Sequence, residues 1–390
     1  MTTGLLAALG FVAAVGPIAT DMYLASFTDI ADDLGAAPSQ VQSTLMAFMV
    51  GVAVGQLLLG PLTDQWGRRR VLVIAMAVFA GATTALVFSP TIEVFIGLRL
   101  VQGLSGASGV VIARAIAVDL STGATAVRAI SIIATVGAVA PIIAPPIGGA
   151  IAGVWGWRGV IAVIAAVAWT MFLTALIAVP ESLPPGQRQP ARFSRLFSRF
   201  APLISDRAFR TAVVAYGFGF ATLMSYIAAS PFVGQSLLGM SPFVYSLVYV
   251  ASAVGLVLSN LTNAAIAPRF GPQRMMMIGV TAQVTGAALM LMLTVGDLLT
   301  PVTFAIAALI VNSGTGYTMA NSSALALAHT DASSRGAGAA LLGAAQFLVG
   351  GIASPIVGLW GQNTALPMAV AMTICAVVAA TAALATRRHG

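Results

Sequence analysis

The sequence predicts an all-α polytopic membrane protein, two bundles of six transmembrane helices around a central cavity. Three observations carry this. Hydrophobic residues make up 59% of the 390-residue chain and charged residues 7%, more apolar side chain than a soluble core can hide. Twelve stretches reach the roughly 20 apolar residues that a span needs. Nearly every Arg falls between those stretches on alternate sides, the bias that fixes orientation in a bilayer.

The first six spans read as Leu5–Phe27, Gln40–Leu62, Val71–Phe88, Glu93–Ile116, Ile130–Ile151 and Gly159–Val179. The second six read as Phe209–Ala229, Pro242–Ile266, Met275–Val295, Pro301–Leu327, Ala337–Trp360 and Leu366–Ala385. With the N-terminus in the cytoplasm, only Arg158 lies in an outer loop, and only Arg99 and Arg114 lie inside a span. The other 15 of the 18 basic residues then fall in cytoplasmic loops, ends or tail. Both termini are therefore expected inside, and the net charge of +7 reads as a topology signal rather than a nucleic-acid footprint. The chain has no Lys, which excludes Schiff-base and Lys-nucleophile chemistry. Its Ala, Gly, Val and Arg content suggests a GC-rich coding sequence, hence a bacterium and its cytoplasmic membrane. The one cysteine, Cys375, lies in the last span and reads as a buried, inert thiol. No basic segment precedes the first span, so no cleaved signal peptide is expected.

Three regions follow. Residues 1–180 form an N-terminal six-helix bundle, 181–208 a cytoplasmic linker and 209–390 a C-terminal six-helix bundle. The linker opens with Pro180-Glu181-Ser182-Leu183-Pro184-Pro185-Gly186, which cannot be helical. Arg188, Arg192, Arg195 and Arg199 follow at spacings of four, three and four, with Phe193, Leu196, Phe197 and Phe200 between them. That pattern predicts a short amphipathic helix lying on the inner membrane surface, with lipids as its partner. The halves also read as a parallel repeat. Aligning Gly67, between spans 2 and 3, with Gly271, between spans 8 and 9, also aligns Arg70 with Arg274 and Leu62 with Ile266. A repeat of this kind places the substrate site near the midplane, between the halves.

The loop from Gly60 to Arg70 is the strongest local signal. Gly60 is expected to let two helices approach, Gly67 to permit a tight reversal, and Asp64 with the three Arg to form a charged clasp. Gly60, Leu62, Asp64, Gly67, Arg68 and Arg69 resemble motif A of the major facilitator superfamily, with Gln65 where a base is usual. Leu98-Arg99-Leu100-Val101-Gln102-Gly103-Leu104-Ser105-Gly106 resembles motif B. Gly137 through Ala144-Pro145-Pro146-Ile147-Gly148-Gly149 resembles motif C of drug antiporters, with Ala144 where Gly is usual. Pro145 and the pair Gly148 and Gly149 are expected to kink that helix and let it pack closely. Thr20-Asp21-Met22-Tyr23-Leu24 resembles a signature of the Bcr/CflA drug-resistance subgroup, with Ala25 in place of the usual Pro. The resemblance covers nearly the whole chain and is most specific from Asp21 to Gly149. It implies the superfamily's twelve-helix fold and a drug:proton antiporter. It also implies a cytoplasmic clasp that stabilises the outward-open state.

Charge inside a span needs a reason, because it costs at least about 2.5–3.5 kcal/mol at the bilayer centre. Asp21 late in span 1 and Arg99 early in span 4 fall at similar depth and form the proton-coupling pair, Asp21 being the proton carrier. Asp21 has a second reading as an interfacial residue at a frayed helix end. Arg99 has one as a structural cation bonding carbonyls of span 1 or 5. Arg114 lies 15 residues beyond Arg99, about 22 Å along a helix, and joins Asp119, Asp64, Arg68 and Arg69 in the clasp. The second half has no Asp or Glu inside a span. Uncharged polar and aromatic groups are therefore the candidate substrate contacts. These are Tyr23, Gln102, Tyr216, Tyr226, Tyr245, Tyr249, Asn312, Asn321 and Gln346.

The leading reading is a proton-coupled exporter of small lipophilic or drug-like compounds, working by alternating access as a monomer. It would need no cofactor and no metal beyond the proton gradient. Export of a specific metabolite, an amino acid derivative or a sugar, is the alternative. A membrane enzyme would need clustered His, Asp or Glu, and the two His stand apart. ATP-driven transport would need a Walker-type loop, which is missing. A channel would carry a filter-like re-entrant segment.

Overall fold

Helix starts in this chain are written by local chemistry. Thr2, Thr91, Asp206, Ser241 and Thr300 each accept a backbone N–H from the first turn that follows. Prolines that need no N–H partner stand at Pro242, Pro272 and Pro301. The computed structural model describes residues 2–121, 123–190, 200–331, 334–361 and 363–387. In order, the helices are α1 Thr3–Ala13, α2 Val15–Asp21, α3 Phe27–Asp33, α4 Pro38–Trp66, α5 Arg68–Val87, α6 Ile92–Asp119 and α7 Gly123–Ala178. Then come α8 Arg207–Pro231, α9 Pro242–Phe270, α10 Pro272–Val295, α11 Pro301–Ala328, α12 Arg335–Ile356 and α13 Leu366–Arg387.

Among the described residues, eleven helices are long and apolar enough to cross a bilayer. One of these, Val139–Ala178, covers 40 residues, about 60 Å or twice the hydrocarbon thickness. It is two legs, because Gly156 leaves helical geometry at φ 64° and ψ −173°. The eleven helices therefore make twelve crossings, as the hydropathy pattern predicts. The expected kink at Pro145 takes another form. The chain stays helical through Pro141, Pro145 and Pro146, and the reversal falls at Gly156.

The first span is three segments rather than one helix. It breaks at Ala14, three residues ahead of Pro17, and again through a 3₁₀ turn at Leu24–Ser26. Asp21 ends the second segment, and helix resumes beyond it to Asp33.

The chain clusters into two compact units, Met1–Leu34 with Ala47–Phe193, and Gly35–Met46 with Ser194–Gly390. The start of α4 thus groups with the second unit, where the Gln42 amide donates to the Ala228 carbonyl at 3.1 Å. In the first unit α5 packs on α6 and α7, and the α1–α2 segment packs on α7 and α6. In the second, α8 packs against α11, α12 and α13, and α10 against α11 and α13. Its core includes Ala215, Met276, Val280 and Ala379. Cys375 is buried among Ala221 and Ala353.

The repeat is visible in the backbone. Gly67 has φ 94° and ψ 152°, and Gly271 has φ 80° and ψ 150°, each directly before the next helix. Only glycine holds this conformation without strain. The linker departs from expectation at Arg188. That residue is extended rather than helical. Arg192, Arg195, Arg199, Phe193, Leu196 and Phe197 lie outside the described residues, and helix is present from Phe200.

Candidate functional site

The first unit buries an arginine. Arg99 on α6 is 1% exposed, the largest side chain so enclosed. Its Nη1 donates to the Ala19 carbonyl at 3.0 Å and to Gln102 Oε1 at 2.5 Å. The Gln102 amide donates to Thr83 Oγ1 at 2.8 Å, and that hydroxyl donates to the Phe79 carbonyl. The rings of Tyr23 and Phe48 stand 4.3 and 4.5 Å from the guanidinium carbon, a favourable setting for a desolvated cation. Arg99 thus bonds span 1, as its structural reading foresaw. It does more than that, because Nε and Nη2 are buried without a hydrogen-bond partner. Together they form one edge of the guanidinium fork, the edge that takes a carboxylate through two parallel bonds.

Asp21 lies two residues beyond the carbonyl that Arg99 holds. It is 7% exposed and accepts the Thr20 hydroxyl at 3.1 Å. Burial of this degree sets it apart from a solvated residue at a frayed end. Tyr23 and Gln102, expected at a substrate surface, are instead fully packed around Arg99. From Tyr23 an aromatic column runs on through Phe95 at 6.5 Å and Trp157 at 5.8 Å. It ends at Arg158, which lies 4.2 Å from the Trp157 ring and pairs with Asp33.

A second polar cluster occupies the end of the unit where α4, α5, α6 and the linker meet. Arg68 pairs with Asp64 at 2.7 Å and Asp119 at 3.2 Å, and donates to Thr63 at 2.5 Å. Arg69 donates to the Leu176 carbonyl at 2.7 Å. Arg114 is exposed and takes part in none of the ion pairs among the described residues. The clasp has partners that sequence reasoning missed. Glu181 accepts the backbone N–H of Arg68 at 2.8 Å, an orphan donor of the first turn of α5. Glu181 also pairs with Arg188 at 3.6 Å, Ser182 donates to Asp119 at 2.8 Å, and the Gln189 N–H donates to the Asp64 carbonyl at 3.0 Å. A Cβ on Gly67 would overlap Glu181 and Arg188. An acid set directly after Pro180 was the available signal.

Close helix approach falls elsewhere than expected. A Cβ on Gly60 would meet nothing within 4 Å among the described residues, whereas Gly51 and Gly55 of α4 abut the backbone of α6 at Leu100 and Leu104. The signal was a G-x-x-x-G spacing. Of motif C, Gly148 abuts the Met22 carbonyl, Pro145 and Gly149 are buried, and Gly137 lies in the same helix.

In the second unit the expected substrate contacts separate into packed and open groups. Tyr226, Tyr245 and Tyr249 are buried, with Tyr249 stacked on Tyr226 and tilted against Tyr245, each at 6.4 Å. The Tyr245 hydroxyl shares a 2.8 Å bond with Ser230. Asn321 is buried and donates to Asn263 at 2.7 Å. Asn312 is buried, and its Oδ1 is without a hydrogen-bond partner. Tyr216 and Gln346 are half-buried and joined by a 2.7 Å bond.

Residues 9–355 match the Major Facilitator Superfamily. The chain is 32% identical over 378 residues to the uncharacterized MFS-type transporter YdgK of Bacillus subtilis, covering 95% of this chain and 92% of that protein. It is 30% identical over 373 residues to a bicyclomycin resistance protein homolog of Haemophilus influenzae, again covering 95% and 92%. A crystal structure of a mutant of the nucleoside transporter NupG aligns with a TM-score of 0.77 at 15% identity, over 98% of this chain and 99% of that one. The twelve crossings, the repeated glycine turn and the match across nine-tenths of its length place this multi-pass membrane chain among the transporters of the Major Facilitator Superfamily, to which it belongs.

Proposed function

We propose that the protein exports small lipophilic, drug-like compounds in exchange for protons, as a monomer in the bacterial cytoplasmic membrane, with both termini inside. The observation that carries the coupling is the burial of Asp21 two residues beyond the carbonyl that Arg99 holds, while the Nε and Nη2 edge of Arg99 takes part in none of the ion pairs among the described residues. An ionised Asp21 is drawn to that edge, and protonation releases it. The carboxyl therefore has two positions that differ by one proton, which is what alternating access needs from its driving ion. The second unit supports the assignment, since no Asp or Glu falls inside its spans. The drug-like substrate class rests on the uncharged, aromatic character of the polar residues there and on relatives named for bicyclomycin and multidrug resistance. With the termini inside, the Asp64–Arg68–Asp119 clasp is cytoplasmic.

The test is proteoliposome transport under an imposed pH gradient, with bicyclomycin and a fluorescent lipophilic dye as probes. Uphill movement of either probe, collapsed by a protonophore, is expected. Movement that ignores the gradient would sink the coupling.

A further inference from the structure

The α1–α2 segment and the first leg of α7 touch at two places, twelve residues apart on each. At one, the Val136 Cγ2 lies 3.2 Å from where a Cβ on Gly10 would stand. At the other, Gly148 abuts the Met22 carbonyl with no room for a side chain. Between these pinch points the lining includes the small residues Ala14, Ala140 and Ala144. Val163 and Val167 of the second leg close the third side. The result is a cavity of about 510 Å³. It opens along Val139, Ile143 and Ile147, which are 40%, 53% and 45% exposed.

Two features say what this groove takes. Among the described residues its lining holds one polar side chain, Thr135, whose hydroxyl donates to the Ser131 carbonyl at 2.8 Å. A site for a functionalised molecule offers several placed polar groups. This one offers a single hydroxyl whose proton is already committed, so it suits plain hydrocarbon. The second feature is Arg128. It precedes Thr135 by seven residues and Val139 by eleven, two and three helical turns, and so shares their face of α7. It is exposed and belongs to none of the ion pairs among the described residues. From Thr135 to Ile147 the groove runs about 18 Å along the helix, the scale of an extended fatty chain.

We propose that this groove binds one acyl chain of an anionic phospholipid, whose headgroup phosphate is held by Arg128. Small residues at Ala14, Ala140 and Ala144 keep the trough open for the chain, and the guanidinium at its end selects the headgroup charge. The lining contains neither Asp21 nor Arg99.

The test uses the full chain in nanodiscs doped with phosphatidylglycerol or phosphatidylcholine carrying the same photoactivatable acyl chain. Labelled residues are read by mass spectrometry. Phosphatidylglycerol should label residues 135–147 and 163–167 severalfold more than the exposed apolar positions Ile278 and Met292. Ala140→Phe should remove that excess, and Val163→Phe, from the opposite wall, should do the same if the first variant folds poorly. Arg128→Gln should leave the chain in place and lower the preference for phosphatidylglycerol about fivefold. Even labelling over the apolar surface, equal labelling by the two lipids, or no effect of filling the trough would overturn the assignment. Displacement of the label by the lipophilic dye but not by added phosphatidylglycerol would overturn it too, making the groove a substrate subsite.

Discussion

A carboxyl group can escape the cost of burial by taking a proton; a guanidinium cannot. That asymmetry assigns the roles of Asp21 and Arg99 in the proposed cycle. Asp21→Asn should insert and fold normally yet abolish gradient-driven uphill transport, while downhill exchange survives. Uphill export by the Asn variant at the wild-type rate would move the proton elsewhere. Arg99→Lys keeps the charge and loses the two-pronged edge. It should cut coupled transport at least tenfold in the same assay, the order expected when one charge-assisted bond of about 1.5–3 kcal/mol is lost. Both residues were legible because a charge in an apolar run stands out in any sequence. The packing of Tyr23 and Gln102 around Arg99 was not. A tyrosine or glutamine reads the same whether it meets a substrate or completes a buried network, and only the neighbours brought by α5 and α2 decide.

At the level of the element, the loop before α5 is held from two directions. Asp64 and Asp119 take the Arg68 side chain, and Glu181 takes its backbone N–H. Asp64→Ala should shift the conformational population and slow turnover severalfold with little change in substrate affinity. Distance labels on the two units check this. The magnitude follows from the roughly 1–3 kcal/mol typical of coupling between states. A large affinity loss with an unchanged population would place Asp64 in the binding site instead. Glu181→Gln should shift the population in the same direction as Asp64→Ala, and Gly67→Ala should lower thermal stability, by about 1–3 kcal/mol for the positive φ alone. The turn itself was readable, since Gly67 and Gly271 sit at matching places in both halves. The part played by the linker was not, because Glu181 lies 113 residues from Arg68 and only folding brings the two together.

Across the whole molecule the arginine bias sets orientation, and the buried Cys375 leaves the surface clear for thiol mapping. A cysteine replacing the exposed Trp155 should react with a membrane-impermeant reagent in intact cells. One replacing Arg69 should react only after permeabilisation. The reverse pattern would invert the topology. The number of crossings was written in hydropathy. The division into units was less so, because Gly35–Met46 clusters with the second unit although its sequence continues the first. The hold of the linker on the turn before α5 also bears on biogenesis. Every partner of the clasp, from Thr63 to Gln189, precedes Ser194–Gly390, the larger part of the second unit, in the order of synthesis. The latch can therefore close on the nascent chain, and the order of translation becomes an order of assembly. A chain released after Pro190 carries the complete latch. One released after Val179 leaves the first turn of α5 with an unanswered donor, and so offers quality control a half-made product to recognise.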